Sequence, residues 1–135
     1  MDQGPASNYP IAVDSSGNIW RHEVGNDAGS NALPYHLETG ELEVAGEGKT
    51  FYRVRKLIPD NARISGNHVV TFSTRDYPSG SAGSQGPFTL TSATTKMSVS
   101  GRGRSMRYKI AGTELGTDIR LGDWRAEITQ TGEAA

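Results

Sequence analysis

The sequence predicts an all-β protein, an antiparallel β-sandwich of about seven or eight strands, with a barrel as the next choice. Three observations carry this. No window places apolar residues at the i, i+3, i+4 spacing of a helix face. Two segments near the C-terminus alternate with a period of two: Met106, Tyr108 and Ile110 against Arg107 and Lys109, and Trp124, Ala126 and Ile128 against Arg125, Glu127 and Thr129. Turn-forming residues recur at intervals of roughly 8–12 residues, as in sandwiches.

The elements follow in order. Ile11–Val13 leads into Asp14-Ser15-Ser16-Gly17-Asn18, a turn by composition, and Ile19–Val24 reads as the return strand of a hairpin. Asp14, Ser16 and Asn18 have the alternation of a calcium loop, but Gly25 stands where such a loop needs a bidentate Glu, so an Asx turn is expected. Residues 25–34 form a loop. Tyr35–Thr39 and Glu41–Val44 are short extended segments split by Gly40, with a turn at Gly46-Glu47-Gly48. Thr50–Ile58 is a strong strand closed by Pro59-Asp60-Asn61. Strict alternation puts Tyr52, Val54 and Ile58 on one face of it and Phe51, Arg53, Arg55 and Leu57 on the other, so both faces are partly covered. Residues 68–77 form the next strand, with His68, Val70 and Phe72 inward. The Gly/Ser-rich segment 78–87 reads as a mobile hairpin tip. Residues 88–100 favour strand with a break at 92–95. Gly101-Arg102-Gly103-Arg104 opens the strand through Ile110, and the segment from Trp124 is the last strand. All six prolines lie at or before Pro87, so the remainder can run through central strands without losing a ladder donor. Residues 1–33 are expected to form an N-terminal hairpin arm, or the remnant of a neighbouring domain, and residues 34–135 the β-sandwich domain.

Bulk properties narrow the function. A chain of 135 residues buries about two thirds of its unfolded surface and needs no staple. It has no cysteine, which removes disulfides, thiolate zinc sites and a thiol nucleophile. The formal charge of −1 gives no global attraction to nucleic acid or membrane, so any electrostatic function is local. No apolar run reaches membrane-span length, and MDQGPASNYP lacks the basic and apolar regions of a signal peptide. No internal repeat is visible, so a complete propeller cannot be built from this chain.

Catalytic patterns are not found. The histidines His22, His36 and His68 have no metal-ligand spacing, and neither HExxH nor GxSxG occurs. Glu38, Glu41, Glu43 and Glu47 read as a solvated strand edge rather than as paired catalytic carboxylates. GRGR is neither a dinucleotide fingerprint nor a phosphate loop. The expectation is a protein with no enzymatic activity, no cofactor and no metal. The basic residues Arg53, Arg55, Arg102, Arg104, Arg107, Arg120 and Arg125, with Lys56 and Lys109 near them, are the candidate functional set. They could line a DNA channel through non-specific phosphate contacts, meet the acidic 38–47 segment of a neighbouring subunit, or cover apolar surface with their stems. Trp20, Trp124 and Tyr35 are candidates for a sugar platform, Trp124 being better placed for core packing. A ligand-binding β-sandwich, a receptor- or carbohydrate-binding module, is therefore the alternative reading.

Six segments occur in one order: Asp14–Gly25 (DSSGNIWRHEVG), Tyr35–Gly40 (YHLETG), Phe51–Asp60 (FYRVRKLIPD), Thr74–Pro78 (TRDYP), Gly101–Arg104 (GRGR) and Arg120–Arg125 (RLGDWR). In this order they resemble the C-terminal region of the tail nozzle, or packaged-DNA stabilisation, proteins that form the tail hub of short-tailed phages. Members of that family are several times longer, have Gln where Ser105 follows GRGR, and lack the acidic GEAA end. The chain thus reads as a fragment or as a shortened relative. The resemblance implies a virion structural protein of the phage tail, made in the host cytoplasm. It also implies a homo-oligomeric ring, usually sixfold, that contacts the portal or adaptor and other tail proteins and retains or conducts packaged DNA.

Overall fold

The computed structural model describes residues 10–21, 25–43 and 49–133. It is all-β, with no helix among these residues and therefore none long and apolar enough to cross a membrane. The first four strands form two small hairpins: β1 (Ile11–Val13) with β2 (Ile19–Arg21), and β3 (Asp27–Ala28) with β4 (Asn31–Ala32). Then come β5 (Tyr35–Glu38), β6 (Thr50–Ile58), β7 (Asn61–Ser65), β8 (His68–Arg75), β9 (Gly83–Leu90), β10 (Met97–Gly103), β11 (Ser105–Gly112), β12 (Asp118–Leu121) and β13 (Arg125–Glu133). Two antiparallel sheets dominate, β10-β6-β13 and β5-β11-β8-β9, and together they hold seven strands. β7 and β12 form a separate antiparallel pair.

The apolar residues of the two sheets meet in one core: Val54, Leu57, Met97 and Val99 from the first, Val70, Phe72, Leu90, Met106 and Ile110 from the second. His68, Val70 and Phe72 are inward as the sequence predicts. The chain breaks at 91–94, where Thr94 N donates to Thr91 O and the Thr94 hydroxyl accepts from Thr91 N.

Strict alternation fails in β6, and the register says why. Lys56 faces Glu127 of β13 while Val54 faces Ile128, so Arg55 is an extra residue on β6. On the other side, two residues of β10 lie opposite Arg55. A bulge of this kind reverses the facing of everything beyond it. Leu57 therefore turns to the same interior as Val54, not to the face of Phe51, and Arg55 and Lys56 both stay out of the core. Three further expectations are corrected. Gly83–Pro87 is not loop tip but strand: Gly83, Ser84 and Gln85 pair with Thr74, Ser73 and Phe72 of β8. GRGR does not open a strand: it closes β10 and turns at Arg104 into β11 of the other sheet. Trp124 stands just before β13, and Ala126, opposite Leu57 on an edge strand, is exposed. The expected return strand beyond Arg21 (His22, Glu23, Val24), together with Val44 and the 46–48 turn with Glu47, lies outside the described residues.

Candidate functional site

Cross-strand partners project to the same side of a sheet. Arg53 lies opposite Arg102 of β10 and Thr129 of β13. Beyond the bulge, Ile58 lies opposite Arg125, and its neighbour Leu57 is buried, so Ile58 and Arg125 point outward. Arg55 is exposed at the bulge itself. The outer face of the three-stranded sheet thus gathers Arg53, Arg55, Arg102 and Arg125, and Arg104 reaches it from the corner.

Phe51, the second residue of the central strand β6, lies under two of these arginines. Although it projects away from the core, it is only 8% exposed. The Arg102 guanidinium lies 4.4 Å from its ring centroid and that of Arg104 5.9 Å. Arg104 also stands 4.6 Å from the Tyr77 ring and donates from Nε to the Asp76 carbonyl. Arg102 Nε donates to Thr131 Oγ1 at 3.0 Å, and that hydroxyl donates to Phe51 O. Contacts of this kind contribute about 0.5–1 kcal/mol each at an exposed surface. Lys56 pairs with Glu127 at 3.2 Å. Among the described residues no carboxylate pairs with Arg53, Arg55, Arg102 or Arg125. Two arginines directly opposite, Arg53 and Arg102, repel each other, and an anion between them would relieve this.

Two members of the sequence-derived set lie elsewhere. Arg107 is on the outer side of the four-stranded sheet, 3.2 Å from Glu38. Arg120 is on β12, opposite Arg63, which itself pairs with Asp118. Part of the acidic segment is paired within the chain, Glu38 with Arg107 and Glu41 with Arg75. The aromatic candidates have separate partners. Trp124 stacks on Tyr108 with centroids 5.5 Å apart and its Nε1 donates to Asn61. Trp20 covers Gly29 and its Nε1 donates to Asp14. Tyr35 bonds His68. Asp14 is occupied by its own loop, accepting from Ser16 N, Asn18 N and Asn18 Nδ2, as an Asx turn requires. Among the described residues no cluster of His, Asp and Glu could hold a metal ion.

Fold and surface together define a sandwich-like all-β protein with an arginine-covered sheet face. No protein-family model and no curated protein matches the chain.

Proposed function

We propose that this chain is a non-enzymatic structural component of a phage tail nozzle or hub, and that its arginine face meets packaged DNA. The observation that carries the reading is the convergence of Arg53, Arg55, Arg102, Arg104 and Arg125 on one sheet face in a chain whose net charge is −1. Such a face suits phosphate backbone, which is bound by charge without sequence readout. The ordered motifs from Asp14 to Arg125 support the tail assignment, and a channel protein needs an electrostatic surface rather than a catalytic pocket. In this reading the chain works in the virion as a homo-oligomer in contact with portal or adaptor proteins.

Mass photometry and electron microscopy of the purified chain, alone and with portal and tail proteins of its phage, test the assembly. Closed oligomers or a stable complex with those partners are expected. A monomer at the highest soluble concentration, with no affinity for either the partners or duplex DNA, overturns the proposal.

A further inference from the structure

The outer face of the other sheet carries a second, chemically different surface. β5, β11 and β8 place Glu38, Lys109 and Thr71 side by side in one cross-strand row. The next row, across β11, β8 and β9, is Arg107, Ser73 and Ser84. The buried Val70 and Phe72 alternate with Thr71 and Ser73, which fixes both rows on the outside. These six residues, with Ala82 and Tyr108, line an open depression of about 280 Å³.

Its polar groups are under-used. Arg107 Nε lies 3.2 Å from Glu38 Oε1, without hydrogen-bond geometry and shut off from water. Ser73 Oγ donates only a long bond, 3.4 Å, to Arg107 O. Among the described residues Lys109, Thr71 and Ser84 have no side-chain partner. The pairing of Arg107 with Glu38 cancels one charge of each sign and leaves the Lys109 ammonium.

We infer that this depression binds a monosaccharide unit carrying a single carboxylate. Lys109 holds the carboxylate. Thr71, Ser73, Ser84 and the second oxygen of Glu38 exchange hydrogen bonds with ring hydroxyls. With the Glu38 charge cancelled by Arg107, the one remaining positive charge matches a monoanion better than a dianionic phosphate ester, and the hydroxyls and charges of the lining would go unpaired against a wholly apolar ligand. The volume suits one sugar ring rather than a long chain. This inference does not rest on the tail-hub reading, and its residues are distinct from the arginine face.

The test is amide NMR titration of the full chain with glucuronic acid, with glucose and glucose 6-phosphate in parallel. Glucuronic acid is expected to shift the amides of Thr71, Ser73, Ser84 and Lys109 with millimolar affinity, and the other two at least tenfold more weakly. Lys109→Gln, at an exposed position, weakens glucuronate binding by about tenfold without moving the melting temperature. Glu38→Gln narrows the gap between glucuronate and glucose 6-phosphate. Shifts absent at millimolar glucuronate, equal shifts with glucose, or shifts indifferent to Lys109→Gln overturn the inference.

Discussion

His68 is fully buried, and its two ring nitrogens are both spoken for. The Ser65 carbonyl, 2.9 Å from Nε2, can only accept, so Nε2 carries the proton and Nδ1 accepts from the Tyr35 hydroxyl. Burial, and then the Asp118 charge, push the Tyr35 phenol above its ordinary value, which keeps it a donor. Tyr35→Phe strands Nδ1 inside the protein. Urea unfolding should show a loss of about 1–3 kcal/mol, while Tyr77→Phe, at a position 56% exposed, changes stability little. A neutral Tyr35→Phe would mean that the pair carries no structural weight. Asp14 gives a pH prediction of known sign. The Asn18 side chain, then the Trp20 indole and the Asn18 backbone, hold its carboxyl far below the ordinary 3.8. A depressed folded value means that the hairpin's stabilisation is complete above the unfolded value and is lost as pH falls through the folded one. The Trp20 indole NMR resonance should therefore stay fixed on acidification through the usual carboxylate range and move only below it. A midpoint near 3.8 contradicts the loop geometry.

At the scale of elements, the corner between β10 and β11 explains a sequence that composition makes look like a nucleic-acid handle. A Cβ on Gly101 would lie 2.5 Å from the Phe72 ring, and one on Gly103 would lie 2.9 Å from Arg75 O. Arg104 N, next in the chain, donates to that same Arg75 carbonyl at 2.9 Å. The glycines let β10 cross onto β8 before the chain switches sheets, and the arginine between them, Arg102, points outward over Phe51, as does Arg104 after them. Gly103→Ala meets backbone, which cannot give way as a side-chain tip can. It should cost roughly 1–3 kcal/mol, whereas Gly40→Ala, with nothing within 4 Å, is near neutral. Equal melting temperatures for the two variants would refute the close approach. The long strands were legible because β8 and β11 alternate without interruption. β6 was legible as a strand but not in its facing, since a bulge leaves no mark in composition. β7 and β12 carry no periodic signal in the sequence, because each offers one inward isoleucine, Ile64 and Ile119, too few to set a period. The arginine face was legible only as a list of residues. Register separates Arg53, Arg55, Arg102 and Arg125 from Arg107 and Arg120, and register is a property of pairing that no single strand declares.

For the whole molecule, net charge and local charge point in different directions. A chain at −1 has no long-range pull on DNA, so in the proposed reading any affinity comes from the arginine face and is short-ranged and sensitive to screening. Five guanidiniums set an upper bound on the phosphates neutralised by one copy. Each contact contributes about −0.9 to the slope of log K against log salt, and side-by-side arginines on a flat sheet cannot all reach one duplex. A slope of roughly −2 to −4 is expected, with no preference among duplex sequences. The choice of variants follows from the packing. Arg102 and Arg104 cover Phe51, so replacing them uncovers apolar surface and confounds binding with stability. Arg53 and Arg55 are exposed and without a carboxylate partner among the described residues, so Arg53→Gln with Arg55→Gln removes charge alone. That double variant should flatten the slope by about 2 at unchanged melting temperature. Arg120→Gln, on a different sheet, should leave the slope as it is. Fluorescence anisotropy with a labelled duplex across a salt series reads all three proteins. Binding indifferent to salt, or an Arg120→Gln effect as large as that of the double variant, would mean that DNA does not lie on this face.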